Sequence, residues 1–240
     1  MGFMAALTVF ALLVIAGFVK EISKVPTVAR VAALTANAHT TRHATASPSP
    51  RRKPTPPVLD QGPQVADASS GLSYQLLASP WHRGCPGILN TPVFSWTAGE
   101  NAVAGQATIG GTVINWHGNA CSGKLGQQFV YSGPADLAPV TMSVANAVDP
   151  AYYYGLQHYR TIEGSWAMQV SGKPAWIVMF LMTYPDAADE GLAWTTEAGA
   201  VVVVDRGASR APAVFYASVP DDLGTSDVST LVSSLQGSPG

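Results

Sequence analysis

The chain has little charge. Only 12% of its 240 residues are Asp, Glu, Lys or Arg, where about 25% is usual for a soluble domain. It has no basic excess either, with a formal net charge of −2. That excludes a nucleic-acid-binding domain, which would show a strong positive balance. Cysteine is scarce. Cys85 and Cys121 are the only two, so a disulfide-dense miniprotein is excluded and a single bridge is allowed. No GxSxG elbow and no HExxH pair is present, so two familiar hydrolase signatures are missing. With 47% hydrophobic residues and a mean hydropathy of +0.17, the chain is too apolar to be disordered throughout.

The charges that exist are unevenly placed. Residues 1–70 hold seven basic and three acidic side chains, and residues 71–240 hold six basic and twelve acidic. All six tryptophans and both cysteines lie in the second part. A basic leader followed by an acidic body points to a tail beside a membrane or another anionic surface.

Met1 to Val19 carries no charged side chain. As a helix it would span roughly 28 Å at about 1.5 Å per residue, close to the roughly 30 Å of a bilayer core. A cleaved signal peptide is the competing reading. Its candidate site, Ala36-Asn37-Ala38, lies far beyond the apolar run, which favours an uncleaved anchor over residues 1–22. The positive-inside rule would put Lys20, Lys24 and Arg30 in the cytoplasm. A basic segment upstream of Met1 would restore the opposite orientation, with the C-terminal part outside. The expected location is therefore the cell membrane, single-pass, with an extracytoplasmic domain.

Residues 23–70 read as a disordered, basic, Ser/Thr/Pro-rich linker. Pro48, Pro50, Pro54, Pro56 and Pro57 favour extended polyproline geometry and cannot sustain a helix. Ser and Thr beside Pro are also candidate O-glycan acceptors. Arg51-Arg52-Lys53 reads as a solvated charge run rather than a lipid contact.

A folded domain is expected over 71–236. Short strands are expected at Ser73–Leu77, Val93–Trp96, Val103–Ile109, Thr112–His117 and Gln128–Tyr131, most of them separated by Gly-containing turns. Pro134 suits the first turn of a helix running to Val148. Asp149-Pro150 reads as the N-cap and first position of a second helix, AYYYGLQHYR. Pro174–Tyr184 is apolar on both faces and should be a central strand. GAVVVVD and APAVFYASV add two more, with a turn at Arg206–Arg210. Val228, Leu231, Val232 and Leu235 fall on one helical face, with Thr225 or Ser226 as the cap and Gly237 as the stop. Many strands, few helices and no βαβ alternation give an α+β domain with a mainly antiparallel sheet.

Several motifs carry possible chemistry. In an oxidising compartment Cys85 and Cys121 favour a disulfide. The alternative is zinc, because His82 and His117 stand three and four residues before the two cysteines. Gly118 to Lys124 matches GxxxxGK, but Leu125 replaces the required Ser or Thr and a strand follows, so nucleotide binding is disfavoured. No metal or cofactor is expected. Asp189-Glu190 and Asp221-Asp222 fall in expected loops as solvated acids without an EF-hand pattern. Trp81, His82, Trp116, His117, Tyr152, Tyr153, Tyr154 and His158 form a candidate binding surface, since Tyr and Trp are favoured at interfaces. Plain core packing is the alternative for the tyrosine run.

The order GLSYQLLASPW, SGKPAWIVMFLMTYPD, GAVVVVDRG, PAVFYASVPDD and TSDVSTLVSSLQ resembles PsbP-like domains. It is also similar to the exported LpqN-type lipoproteins and the Pro/Ala-rich attachment glycoproteins of actinobacteria. Alanine richness and scarce lysine suit a GC-rich genome of that kind. The resemblance covers residues 71–236. It implies an α/β/α sandwich around an antiparallel sheet, acting as an exported accessory or binding module. The chain departs from it by lacking a lipobox cysteine, and the Cys85–Cys121 segment is not part of the pattern. The expected function is non-catalytic binding of a protein or envelope component, with membrane contact through the N-terminal helix and no nucleic acid. The alternatives are an exported hydrolase using His82 or His117, and a purely structural envelope protein.

Overall fold

The computed structural model describes residues 62–238. The expected anchor (1–22) and residues 23–61 of the expected linker lie outside the described residues.

Among the described residues, ten strands and two α-helices follow one another. The strands are β1 (Gln64–Asp67), β2 (Leu72–Gln75), β3 (His82–Arg83), β4 (Trp96–Ile109), β5 (Thr112–Lys124), β6 (Tyr159–Val170), β7 (Lys173–Thr183), β8 (Thr196–Val204), β9 (Ala213–Pro220) and β10 (Gln236–Gly237). The helices are α1 (Leu137–Tyr152), between β5 and β6, and α2 (Ser226–Ser233), after β9. A seven-stranded antiparallel sheet runs β3-β4-β5-β9-β8-β7-β6. A three-stranded sheet runs β1-β2-β10.

The large sheet is apolar on both faces because both are covered. Val178, Phe180, Met182, Val201, Val203 and Tyr216 pack with Leu137, Val140, Val144 and Val148 of α1. Those helix positions recur at i, i+3, i+7 and i+11, one stripe of an α-helix. The alternate residues Ile177, Val202, Val204, Phe215 and Ala217 pack with Val228 and Leu231 of α2 and with Val65, Leu72 and Tyr74 of the small sheet. The architecture is thus mainly antiparallel β with few helices. One flank is a helix, and the other is a helix together with a small sheet.

Several local expectations are corrected. The domain starts before Gly71, because β1 already lies in the stretch read as linker. Asp67 ends that strand buried, its carboxylate accepting from Ser70 Oγ at 2.6 Å, Thr97 Oγ1 at 2.7 Å and Ser122 Oγ at 2.9 Å. Burial pushes this acid upward, but the three hydroxyls outweigh it and hold its pKa below the ordinary value. A polar residue read as solvent-facing is therefore a packed one.

Val93–Ser95 and Gln128–Tyr131 are loops, not strands. The expected strands at Val103–Ile109 and Thr112–His117 are the outer halves of two much longer strands, β4 and β5. Asp149-Pro150 does not open a second helix; it lies in the last turn of α1. Pro150 has no N–H to donate, a small loss at a helix end. The Asp149 carboxylate meets His158 Nε2 at 3.0 Å instead of capping. Arg160 donates to the carbonyl of Ala145 at 2.6 Å. Gly155, at φ +89, then turns the chain in a conformation that favours glycine. Gly237 does not stop α2, which ends at Ser233; it pairs with Leu72 in β10.

Cys85 and Cys121 form a disulfide, with Cα atoms 5.7 Å apart. The bond ties the segment after β3 to the middle of β5. GxxxxGK lies wholly within β5, which is paired with β4 and β9, so it makes no phosphate-cradling loop.

The bridge closes a 36-residue separation. Replacing both cysteines by alanine is expected to lower unfolding free energy by about 4 kcal/mol in the chain-entropy account, measured by urea unfolding. An unchanged midpoint would reject that role.

Candidate functional site

A half-open cleft of about 180 Å³ lies where the β4–β5 hairpin, the end of α1, β8 and β9 converge. Pro86, Ile88 and Leu89 form one wall, and Ile109 and Ile114 near the hairpin tip form another. The disulfide holds the first wall in place, since Cys85 immediately precedes it. Tyr152 and Tyr154 close the helix side.

The floor is built around Glu197, on β8 and 1% exposed. Its Oε2 accepts from Trp116 Nε1 at 3.0 Å and from the Tyr184 hydroxyl at 2.9 Å. Its Oε1 accepts from the Tyr153 hydroxyl at 3.1 Å and from Ser218 Oγ. Tyr153 also meets the Tyr216 hydroxyl at 3.1 Å. Four donors fill the four acceptor positions of an ionised carboxylate. Burial nonetheless dominates and pushes the carboxyl up, against the pull of Trp116, Tyr184 and Tyr153, and Asp222 pushes the same way. The result is a pKa of about 7. Tyr153 is pushed well above its ordinary range by burial and then by Glu197, so its proton stays on the phenol.

The expected surface residues divide among three places. Trp116, His117, Tyr152, Tyr153 and Tyr154 line this cleft. Trp116 and Tyr153 are buried with their polar atoms on Glu197. The Tyr152 hydroxyl accepts from Trp96 Nε1 at 2.9 Å and donates to the Leu89 carbonyl at 2.8 Å. Tyr154 is 63% exposed. His158 sits behind the floor, its ring 5.8 Å from that of Tyr153 and its Nε2 on Asp149. Trp81 and His82 lie elsewhere. Trp81 donates to Asp227 at 3.1 Å beside α2, and His82 is exposed on β3.

Among the described residues, no histidine is hydrogen-bonded to a side-chain hydroxyl. His117 Nδ1 is 3.2 Å from Asn101 Oδ1. Asn101 donates its amide N–H to the Gly84 carbonyl, so its oxygen accepts and His117 Nδ1 carries the proton. Burial pushes the His117 pKa down, and nearby His82 adds to that. Both cysteines are in the disulfide, so neither is a free thiolate for zinc.

Glu197 and Ser218 were not singled out by sequence. Glu197 stands two residues before a run of apolar β-positions, and nothing local marks it as buried. Of the acid pair in the next loop, Asp222 is exposed as expected and Asp221 is not simply solvated. Asp221 accepts from the Thr195 hydroxyl at 2.9 Å and the Thr196 N–H at 3.1 Å, closing the β8–β9 end of the sheet.

No protein-family model and no curated protein matches the chain. Among solved structures it is similar to cyanobacterial PsbP (CyanoP) of Synechocystis sp. PCC 6803, whose structure was determined in solution. The TM-score is 0.44 and the identity 10%, over 72% of this chain and 92% of that chain.

The raised pKa of Glu197 has a defined consequence for stability. As pH rises, the unfolded chain loses this proton near 4.5 and the folded chain only near 7. Between these values the folded state binds more protons, so stability falls with rising pH, by up to about 3 kcal/mol from this group. Chemical unfolding of the parent and Glu197→Gln from pH 4 to 8 is expected to show a shallower decline in the variant. Equal slopes would reject the assignment.

Proposed function

We propose that the chain is a membrane-anchored, extracytoplasmic protein whose folded domain is a non-catalytic binding module at the cell envelope. The LpqN-type resemblance is part of that reading. The observation that carries it is the cleft, which has apolar and aromatic walls, a polar floor and an open rim. Concave, mostly apolar sites with a few fixed polar groups are the usual form of a binding site. Ile88 and Tyr154 are 70% and 63% exposed on its rim, which suits capture of an apolar or aromatic surface. The disulfide is consistent with an exported domain, and the uncharged run Met1–Val19 with an anchor.

The hydrolase alternative needs a nucleophile with a base within hydrogen-bond reach. The Ser218 hydroxyl is engaged with Glu197 and Tyr153. Among the described residues, neither His82 nor His117 is hydrogen-bonded to a serine or a carboxylate. These contacts support binding rather than hydrolysis. A purely structural role leaves the aromatic cleft without a purpose.

Photo-crosslinking from position 154 in intact cells is expected to capture one envelope component, with capture several-fold weaker in an Ile88→Glu background. Val130 is 82% exposed and does not line the cleft, so a probe there serves as the control. External protease should digest the C-terminal domain on the same cells. Equal capture from both positions would defeat the binding reading. A protected domain would defeat the outside placement.

A further inference from the structure

The cleft floor is one-sided in its hydrogen bonding. Its buried lining residues are Trp116, Asn119, Tyr153, Glu197, Tyr216 and Ser218. With the carboxylate ionised, each of their hydroxyl and ring N–H protons has an acceptor inside the protein, and so does one of the two Asn119 amide protons. Trp116, Tyr153 and Ser218 donate to Glu197. Tyr216 then donates to Tyr153. Asn119 Nδ2 donates to the His117 carbonyl at 2.8 Å. What remains on the floor, besides the second Asn119 amide proton, is lone pairs.

One of them is conspicuous. Asn119 is 6% exposed, and its Oδ1 is buried without any partner. A buried acceptor left unpaired is destabilising, so a donor placed there relieves a defect. His117 faces the same space, and because its Nδ1 carries the proton its Nε2 is a further acceptor. Asn115, Thr91 and Tyr154, on the rim, hold the remaining amide and hydroxyls. Among the described residues, no Lys or Arg lines the cleft. Above about pH 7 Glu197 supplies negative charge at the floor. The rings of Tyr152 and Tyr154 present π-faces, which attract cations.

We propose that this cleft takes a protonated primary amine carried on an apolar chain or ring. The ammonium group, with three donors and no acceptor, meets the floor at Asn119 Oδ1 and His117 Nε2. The apolar part lies against Ile88, Ile114 and Tyr154. The inference rests on the binding reading above and gives that site its ligand chemistry. A free amine and the lysine side chain of a partner share this chemistry.

The test is calorimetry of the full-length protein with phenethylammonium, its neutral counterpart 2-phenylethanol and the anion 3-phenylpropanoate. The ammonium is expected to bind saturably and about tenfold more tightly than the alcohol, with the anion weaker still. Tyr154→Ala alters an exposed side chain, so its fold is expected to be intact, and binding should weaken about fivefold. Asn119→Leu should remove most of the preference for ammonium over alcohol. A one-lysine peptide that binds more tightly than phenethylammonium identifies a protein partner, and one that binds more weakly identifies a free amine. Alcohol or anion binding as tight as the ammonium overturns the amine inference and leaves the binding module standing. Silence from all three ligands, with crosslinking at position 154 intact, also overturns the amine inference. Silence in both experiments overturns the two readings together.

Discussion

One buried carboxylate joins five separate segments of this domain. Glu197 on β8 receives a proton donor from β5, one from the turn after α1, one from the residue after β7 and one from β9. A lone ionised group in such a place would be costly to bury. Four donors offset much of that cost, and they fix the relative positions of the segments that supply them. The cleft is a by-product of this arrangement. Once Trp116 and Tyr153 are drawn to Glu197, their neighbours His117, Tyr152 and Tyr154 are left lining the space between hairpin and helix.

Aromatic packing completes what the carboxylate begins. Trp116 stacks on Trp194 with ring centres 5.7 Å apart, and Trp96 stacks on Tyr216 at 5.9 Å. Their polar ends all find partners on Glu197 or on other tyrosines, except the Trp194 N–H. The same rings thus serve as core and as cleft lining. The tyrosine run splits the same way: Tyr153 is core, Tyr152 is half-buried and Tyr154 is surface.

Much of the sheet was readable because the pattern is strong. Lys173–Thr183, Thr196–Val204 and Ala213–Pro220 are apolar runs bounded by Gly, Pro and charge, which only doubly covered strands require. The α2 stripe was equally plain. Errors fell where tertiary contacts override local preference. Asp149-Pro150 has the chemistry of a helix start, yet Arg160 and His158 from beyond the turn hold it as a helix end. Asp67 falls in the expected linker, yet the neighbouring Ser70 hydroxyl and one hydroxyl each from β4 and β5 hold it buried.

By itself the sequence determined the mainly antiparallel class of the domain, and it limited the two cysteines to one bridge or a zinc site. Hydrophobic periodicity is local, and two thiols allow only one bridge. It also limited the protein to a low-charge body behind a basic leader. Only the tertiary structure decided which aromatics are surface and which are core, and that Glu197 is the centre of a cleft. Burial of a single acid depends on donors that are 13 to 81 residues away, and no local pattern records where those donors converge.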